Sequence, residues 1–596
     1  MREDFESVIE ERFKRPPYGG PSKVTSLDEA VRRFVRPGMT VHTGITQCFS
    51  YAAIYELIRR FWGKDPGFTL ISLSARIHGI TMIRGGMLKK IVSTFCGDVY
   101  PSPGPNPVSQ KAYADGTVEF ENWSVLSLSL RLKAAAMGLS CVTTNSILGS
   151  GMERDNAGSF AVADDPFQPG GKVGLLKALV PDVSLVHGIA ADEYGNTLFT
   201  PPYAEGLWGA MAAREGAIVT VERLVSSDFI RRHSYFCKLP GSYVRSVSIA
   251  PYGAHPGGVK SFFVEGVESY AEDYDFAEEF RNVSRDEKKL DGWIRRWILD
   301  CKDFGEYIGR VGTEKITYLK DKAREDAWER EIAMRLDDIE PGEKHNETEW
   351  MIVAAARLLK RKIRGNGYRN LLAGLGMSNL AAWMAACDLK REGVEISLIA
   401  EIGFVNYDPR PADPFIFNHA NIPTCAMTTD AFTALGAIVG GADNRCIGAL
   451  AAAQVDKFGN INSTMIPHKL FLAGSGGSND VISGAAESLL VVTHAKDRLV
   501  EKVPYVTGPG ARARTLVTTL GVFEKPEGAE PFALTGYMAA PGKSREECIE
   551  AIAANCGWKV TVAGEPEAIE PPAADELRLL RLFDPDRRFL DELDGE

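Results

Sequence analysis

What this 596-residue sequence lacks narrows its chemistry more than what it has in plenty. Its ten cysteines are scattered and include no CxxC pair, which argues against a disulfide scaffold, a zinc knuckle or a thioredoxin-like redox site. Its nine histidines show neither HExxH nor close paired spacing, so no metal site is expected. No GxxxxGK[ST] loop is present and no GxGxxG follows a strand, which disfavours a P-loop kinase or a nicotinamide dehydrogenase. A serine-hydrolase elbow is missing too, because GSGGS places glycine where the nucleophilic serine is needed. No stretch approaches the roughly 20 apolar residues that span a bilayer, and MREDFESVIEERFKRPP is charged where a signal peptide would be apolar. A cytoplasmic protein with no membrane partner is the expectation. The net charge of −11, with no basic patch against it, argues against a nucleic-acid partner.

The composition, 45% hydrophobic and 25% charged, is that of an ordered soluble protein, and the length requires two or more domains. Residues 1–24 read as a charged helical extension ending in the connector PPYGGPSK. Ser26 and Glu29 stand at capping-box spacing before a short helix. Apolar runs then alternate with helices: Met39 to Thr43, Phe68 to Leu73, Leu88 to Thr94, Val118 to Trp123 and Leu139 to Thr144 all read as strands of one mostly parallel sheet covered on both faces.

A loose repeat sets the larger plan. SLVHGIAADEYGNT at 184–197 returns as GALAAAQVDKFGNI at 448–461, each an apolar strand followed by Asp, an aromatic, Gly and Asn. The turn residues Asp192, Gly195, Asn196, Asp456, Gly459 and Asn460 are read as structural, with glycine taking the left-handed position and the polar side chains holding turn amides. The fold class is therefore α/β: two similar, open, mostly parallel-sheet modules covered by helices, at 25–345 and 346–596. The charged stretch 267–346 is a helical connector belonging to the first module, and a small C-terminal extension follows residue 520. In the connector, Trp293 and Trp297 stand four apart and give a helix an apolar face that calls for a partner.

Two stretches carry candidate chemistry. In GVEISLIAEIGFVNYDPRPA at 393–412, the run Ile396 to Ala400 reads as a buried strand that delivers Glu401 to a bend at Ile402 and Gly403. Chemistry in open α/β sheets is done just beyond the carboxyl ends of strands. Upstream, Ser378 is placed to cap the next helix. Glu401 could equally cap a loop or pair with an arginine. The second stretch is AGSGGSND at 473–480, either a backbone anion or oxyanion site or a plain tight turn. With metal, P-loop and serine signatures missing, the strand-end carboxylate is the best nucleophile candidate.

These motifs, with GMTVHTG at 38–44, SIAPYGAHPGG at 248–258, LIAEIGFVNYDP at 398–409, GSGGSND at 474–480 and KVPYVTGPG at 502–510, resemble class I coenzyme A transferases. The likeness is to the glutaconate CoA-transferase type with both of its subunits joined in one polypeptide, and it covers about residues 25–335 and 346–590. The resemblance implies Glu401 as the covalent nucleophile, in a segment where relatives read Glu, Ser, Gly and this chain has Ile402 and Gly403. It further implies that Gly474, Ser475, Gly476 and Gly477 form the glycine-rich stretch near the CoA thioester; Asn479, placed to cap the segment that follows, is counted with this oxyanion and CoA site, and the proposed chemistry calls for amides around Gly476 and Gly477 to face an oxyanion.

Gly44, Ile45 and Thr46 stand where the family tends to Gly, Gly, Phe, so substrate choice is expected to differ from glutaconate. Arg76, Arg84, Ser102 and Asn145 are candidates to hold a second carboxylate. No permanently bound cofactor is expected: a coenzyme A thioester is a substrate, and a small mono- or dicarboxylic acid is the other. A homo-oligomer is expected from the apolar helical faces. The alternatives on the same fold are a CoA-thioester or β-diketone hydrolase, in which Glu119 or Glu121 would activate water, and a ligand-binding protein without chemistry.

Overall fold

The computed structural model describes residues 2–14, 20–261, 263–525 and 531–591. Residues 16–19 of the expected connector and the last five of the charged tail lie outside these.

The first sheet is built on strand Thr40–Thr43. On one side of it lie Phe68–Ala75, Leu88–Cys96 and Glu119–Asn122, and on the other Val183–Ala191, Ala217–Leu224 and Val244–Ile249, all parallel. Val183–Ala191 is buried along its whole length, as a central parallel strand covered on both faces must be. The strand order reverses at Thr40–Thr43, so the loop after it, Gly44 to Gln47, opens at a topological switch point, where open α/β sheets bind ligands.

The second sheet repeats this plan. Asn370–Ala373 is its first strand, with Ser397–Ala400 parallel on one side and Cys446–Ala451, Glu487–Val492 and Ala513–Thr518 on the other. Strands Phe68–Ala75 and Ser397–Ala400 thus hold equivalent places, and each gives way one residue later to a charged side chain, Arg76 and Glu401. The repeated turns match in detail. Asp192 accepts from the Tyr194 and Asn196 amides while Asn196 Oδ1 accepts from Gly241, and Asp456 accepts from Phe458 and Asn460 while Asn460 Oδ1 accepts from Gly510. Their structural reading holds.

Several expectations change. Cys141–Thr144 is not part of the parallel sheet; it pairs antiparallel with Lys172–Lys177 in a three-stranded side sheet, because a short strand with alternate residues exposed does not fill a two-sided slot. Helix Met377–Arg391 starts at Gly376, and Ser378 Oγ donates to Leu375 O instead of capping. The connector's apolar face finds its partner inside the chain: Trp293 and Trp297 pack on Phe276, Phe280 and Tyr307. It therefore gives no ground for a second copy. The segment after residue 520 is not an appendage, since Gly521–Glu524, Ala533–Met538 and Val562–Ile569 extend the second sheet. Helix Glu347–Asn366 opens the second half of the chain with Asn346 and Glu349 in a reciprocal capping box. Among the described residues, no helix is long and apolar enough to cross a membrane.

Candidate active site

Glu401 stands at the carboxyl end of Ser397–Ala400, on a turn closed by the Gly403 amide donating to Ala400 O at 3.0 Å. Two seams between the sheets flank it. On one side the 203–206 loop of the first half lies on the second: the Ala204 amide donates to Ile402 O at 3.2 Å, Tyr203 to Thr429 O at 2.8 Å, and Ala431 back to Ala204 O at 2.8 Å. On the other side the 473–480 stretch threads between the ends of two first-sheet strands. The Cys96 amide donates to Ala473 O at 2.8 Å, Gly476 to Thr94 O at 2.9 Å, and Ser475 to Asn122 Oδ1 at 3.1 Å. Gly474 is glycine by necessity: its φ is +115° and a Cβ there would strike Thr94 O.

The approach at Gly477 is closer still. A side chain at this position would occupy the space of the Glu401 carboxylate, whose oxygen takes the Gly477 amide. Part of the Glu401 side chain still reaches the cleft, but burial, and after it the nearby Asp480 carboxylate, push its carboxyl up to about 7, against the pull of the Gly477 amide. Asp480 is itself buried and pushed up to about 6. It accepts from Ser124 Oγ at 2.7 Å, Ser146 Oγ at 2.7 Å and the Leu126 amide at 2.9 Å, and so pins the two halves together beside the site.

The remaining expected site residues divide. Asn479 is spent on the seam: Oδ1 accepts from Ile147 and Nδ2 donates to Thr507 O. The Gly476 amide is engaged by Thr94, which corrects its expected oxyanion role, while the Gly477 amide meets the Glu401 carboxylate. Ser475 Oγ is buried without a partner. Ile402 turns its side chain into the core, and Gly403 shapes the turn by hydrogen bonds at both its amide and its carbonyl. Asn145 is exposed beside Ser146, and Ser102 offers its carbonyl to Arg281.

Arg84 lies in a shallow depression with Trp62, Asp291 and Arg295, forked onto both Asp291 oxygens at 2.8 Å. The connector thus takes the guanidinium expected to hold a substrate carboxylate. Arg84→Ala should leave kcat/KM within about twofold and cost at most about 1 kcal/mol in a denaturation midpoint, the value of a largely solvated ion pair. Glu121, expected as a hydrolytic base, is held by Lys90 at 2.5 Å and Arg131 at 2.9 Å; against the penalty of burial, these partners keep its carboxyl below the usual range. Glu119 is exposed and also paired with Lys90.

Arg76 is buried, donates to Glu272 at 2.6 Å and leaves Nε and Nη2 without partners. Glu272 also faces a cavity of about 40 Å³ at the first sheet's switch point, where Thr46, Gln47 and Pro202 meet Phe417 and His419 from the second half. Gln47 stands in the left-handed region, φ +76°, and its side chain donates to Phe417 O at 2.8 Å. Two residues after Pro202 comes the Ala204 contact with Ile402, so this cavity and Glu401 share one loop. Glu205, next in that loop, is buried, accepts from Thr46 Oγ1 at 3.0 Å and is pushed up to about 7 by burial. Neither Glu205 nor the cavity's Lys260 and His419 carries a sequence motif; each becomes visible only where chain segments far apart meet.

A strand-end carboxylate on a glycine amide thus lies where two α/β halves meet. The chain belongs to the coenzyme A transferase family, whose model matches residues 24–250 and 442–533. One of the subunits of glutaconate CoA-transferase from Acidaminococcus fermentans is 27% identical to it over 50% of this chain and 95% of its own. Both subunits of 3-oxoadipate CoA-transferase from Pseudomonas knackmussii are similar as well. One is 27% identical over 49% of this chain and 100% of its own, and the other is 29% identical over 40% of this chain and 94% of its own. An acyl-CoA transferase from Escherichia coli O157:H7 shares the fold over 98% of this chain and 100% of its own, with a TM-score of 0.62 at 14% identity.

Proposed function

We propose that this protein transfers coenzyme A between an acyl-CoA and a small carboxylic acid through a glutamyl-CoA thioester on Glu401. The supporting observation is the carboxylate of Glu401 resting on the Gly477 amide at the seam of the two sheets. The chain has two sheets that share a central parallel plan, and it is similar to both of the different subunits of one two-subunit transferase, over 49% and 40% of its length. These observations favour a chain that carries both subunit equivalents.

Glu401 attacks the thioester carbonyl and expels CoA thiolate, leaving a mixed anhydride. The thiolate then attacks the glutamyl carbonyl, forming the enzyme thioester and releasing the first acid as its carboxylate. The acceptor carboxylate runs both steps in reverse, so one thioester is exchanged for another without external energy. The covalent route divides one hard exchange into easier ones. The Gly477 amide, already on the Glu401 carboxyl oxygen, remains within reach of the oxyanion formed each time that carbon becomes tetrahedral. Enclosure between the halves keeps water from both hydrolysable intermediates.

The nucleophile must be ionised, and its carboxyl is raised to about 7. The rate is therefore expected to fall about tenfold per pH unit on the acid side of pH 7. An acid limb near 4.5 in the pH dependence of kcat/KM would contradict this environment for Glu401.

The reading is tested by incubating an acyl-CoA with a panel of free acids. Parallel lines in double-reciprocal plots and acyl-CoA made from the added acid are the expected results. CoA release at the same rate without any acid would assign a hydrolase instead, and no turnover with any pair would leave only ligand binding.

A further inference from the structure

Glu401 and Asp480 are two carboxylates at one seam, and their surroundings treat them unequally. Asp480 has three donors, all from the first half: Ser124 Oγ and Ser146 Oγ, each at 2.7 Å, and the Leu126 amide at 2.9 Å. That amide is the second of helix Val125–Ala136, so the positive end of a 12-residue helix also faces the Asp480 carboxylate. Glu401 takes one amide, that of Gly477. Asp480 is therefore the better stabilised anion of the two, and Glu401 keeps its proton longer, in agreement with carboxyls raised by burial to about 6 and about 7. The backbone brings the two together. Asp480 follows Gly477 by one helical turn, closed by the Val481 amide donating to Gly477 O at 3.0 Å. A side chain on a helix leans toward the helix N-terminus, so the Asp480 carboxylate points back over the turn that carries the Gly477 amide. The other ionisable groups on elements packed here are engaged elsewhere: Glu205 with Thr46, Asp430 with Thr433, and Arg131 with Glu121, while Lys133 lies over the rings of Trp208 and Phe432.

We propose that Asp480 is a positioning residue for the exchange: its charge, fixed in place by donors of the first half, disfavours the ionised form of Glu401 and so makes that carboxylate the stronger nucleophile. The same charge acts on the covalent intermediate. In the half-reaction the Glu401 carboxylate and an acyl-CoA become the Glu401 thioester of CoA and the free carboxylate of the first acid. One oxygen and one negative charge pass from Glu401 to the departing acid, and the CoA sulfur passes to Glu401. Repulsion present in the free enzyme is thus relieved in the thioester, which favours its formation. An anion beside Glu401 disfavours its carboxylate against both neutral forms, the carboxyl and the thioester, so the shift in proton affinity and the shift in thioester equilibrium share one factor. The charge is held by the first half and the nucleophile is carried by the second, so full reactivity requires the two halves in register. The proposal deepens the transferase reading above and rests on it.

Asp480→Asn removes the charge and keeps the outline: its Oδ1 retains the Leu126 amide, and its Nδ2 meets the Ser124 and Ser146 hydroxyls, which turn to accept. Asp480→Ser is a second charge-free variant, too small to overpack the seam. Ser146→Ala weakens the same seam and leaves the charge in place. For these and wild type, two quantities are measured: the acid limb of kcat/KM, and the level of enzyme thioester at equilibrium with acyl-CoA and its free acid, trapped with hydroxylamine. In both charge-free variants the limb should move down by about one pH unit and the thioester equilibrium constant should fall by the same factor, about tenfold. Their loss of rate should accordingly be larger on the alkaline plateau than on the acid limb. Ser146→Ala should leave the limb at or above its wild-type place. A limb lowered as far by Ser146→Ala would assign the effect to a loosened seam and overturn the proposal, as would a thioester level unmoved in both charge-free variants. Wild type that forms the thioester, with neither charge-free variant shifted in pH, sinks this proposal alone. Wild type that forms no enzyme thioester sinks the transferase reading, and this proposal with it.

Discussion

Glu401→Gln should lower thioester exchange by at least about 10⁴-fold, the scale seen when a covalent nucleophile is removed, while acyl-CoA affinity stays within a few-fold. The amide is nearly the shape of the carboxylate, so the turn at Ile402 and Gly403 and the contact with Gly477 have no reason to move. The same substitution should change stability in a pH-dependent way. The Glu401 carboxyl is raised from its ordinary 4.5 to about 7 in the fold, so the folded state binds the extra proton between those values. Stability contributed by this group is complete below about pH 4.5 and is lost as pH rises through 7. Glu401→Gln removes that loss. Its Tm should exceed that of wild type at pH 8, and the difference should vanish near pH 4. A variant no more stable than wild type at pH 8 would mean that Glu401 is better solvated than its surroundings indicate.

The second large effect is expected at Gly477. The Cβ of alanine would fall on the Glu401 carboxylate, so either that side chain or the turn carrying Gly477 must shift. A displacement near 1 Å in a reacting group costs roughly 10²-fold in rate, and the oxyanion contact from the Gly477 amide would be lost with it. Gly477→Ala should therefore lower kcat by at least about 10²-fold with the chain still folded. Gly476 is the control. A Cβ there meets nothing within 4 Å, although its φ of +51° makes any side chain somewhat strained. Gly476→Ala should keep far more activity than Gly477→Ala. Equal losses at the two positions would mean that loop distortion, not contact with Glu401, sets the effect.

The two-sheet plan was legible because it is written locally. Val183–Ala191 and Ser397–Ala400 are apolar runs that end at turns, and the paired Asp-to-Asn turns mark equivalent places in the two halves. The place of Glu401 was legible for the same reason, as a single carboxylate after a buried strand, whereas the role of nucleophile came from the family resemblance and not from the stretch itself. What stayed hidden depends on contacts between distant segments. Whether Gly476 or Gly477 has its amide turned to the site is decided by Thr94, nearly four hundred residues earlier in the chain. Arg84 looked available until the connector placed Asp291 against it. The apolar face of Trp293 and Trp297 looked like an interface because its partners, Phe276 and Tyr307, lie on other helices. Lys260, Glu205 and His419 form no sequence motif because the cavity and its loop draw on both halves.

The most direct measurement is to trap the enzyme thioester. Wild-type protein incubated with acyl-CoA and no acceptor, then treated with borohydride or hydroxylamine, is digested and its peptides are weighed. A single modified site at Glu401, missing in Glu401→Gln and discharged by adding an acceptor acid before the trap, is the predicted result. Modification at another residue, or unmodified Glu401 in a preparation that is actively exchanging CoA, would contradict the account.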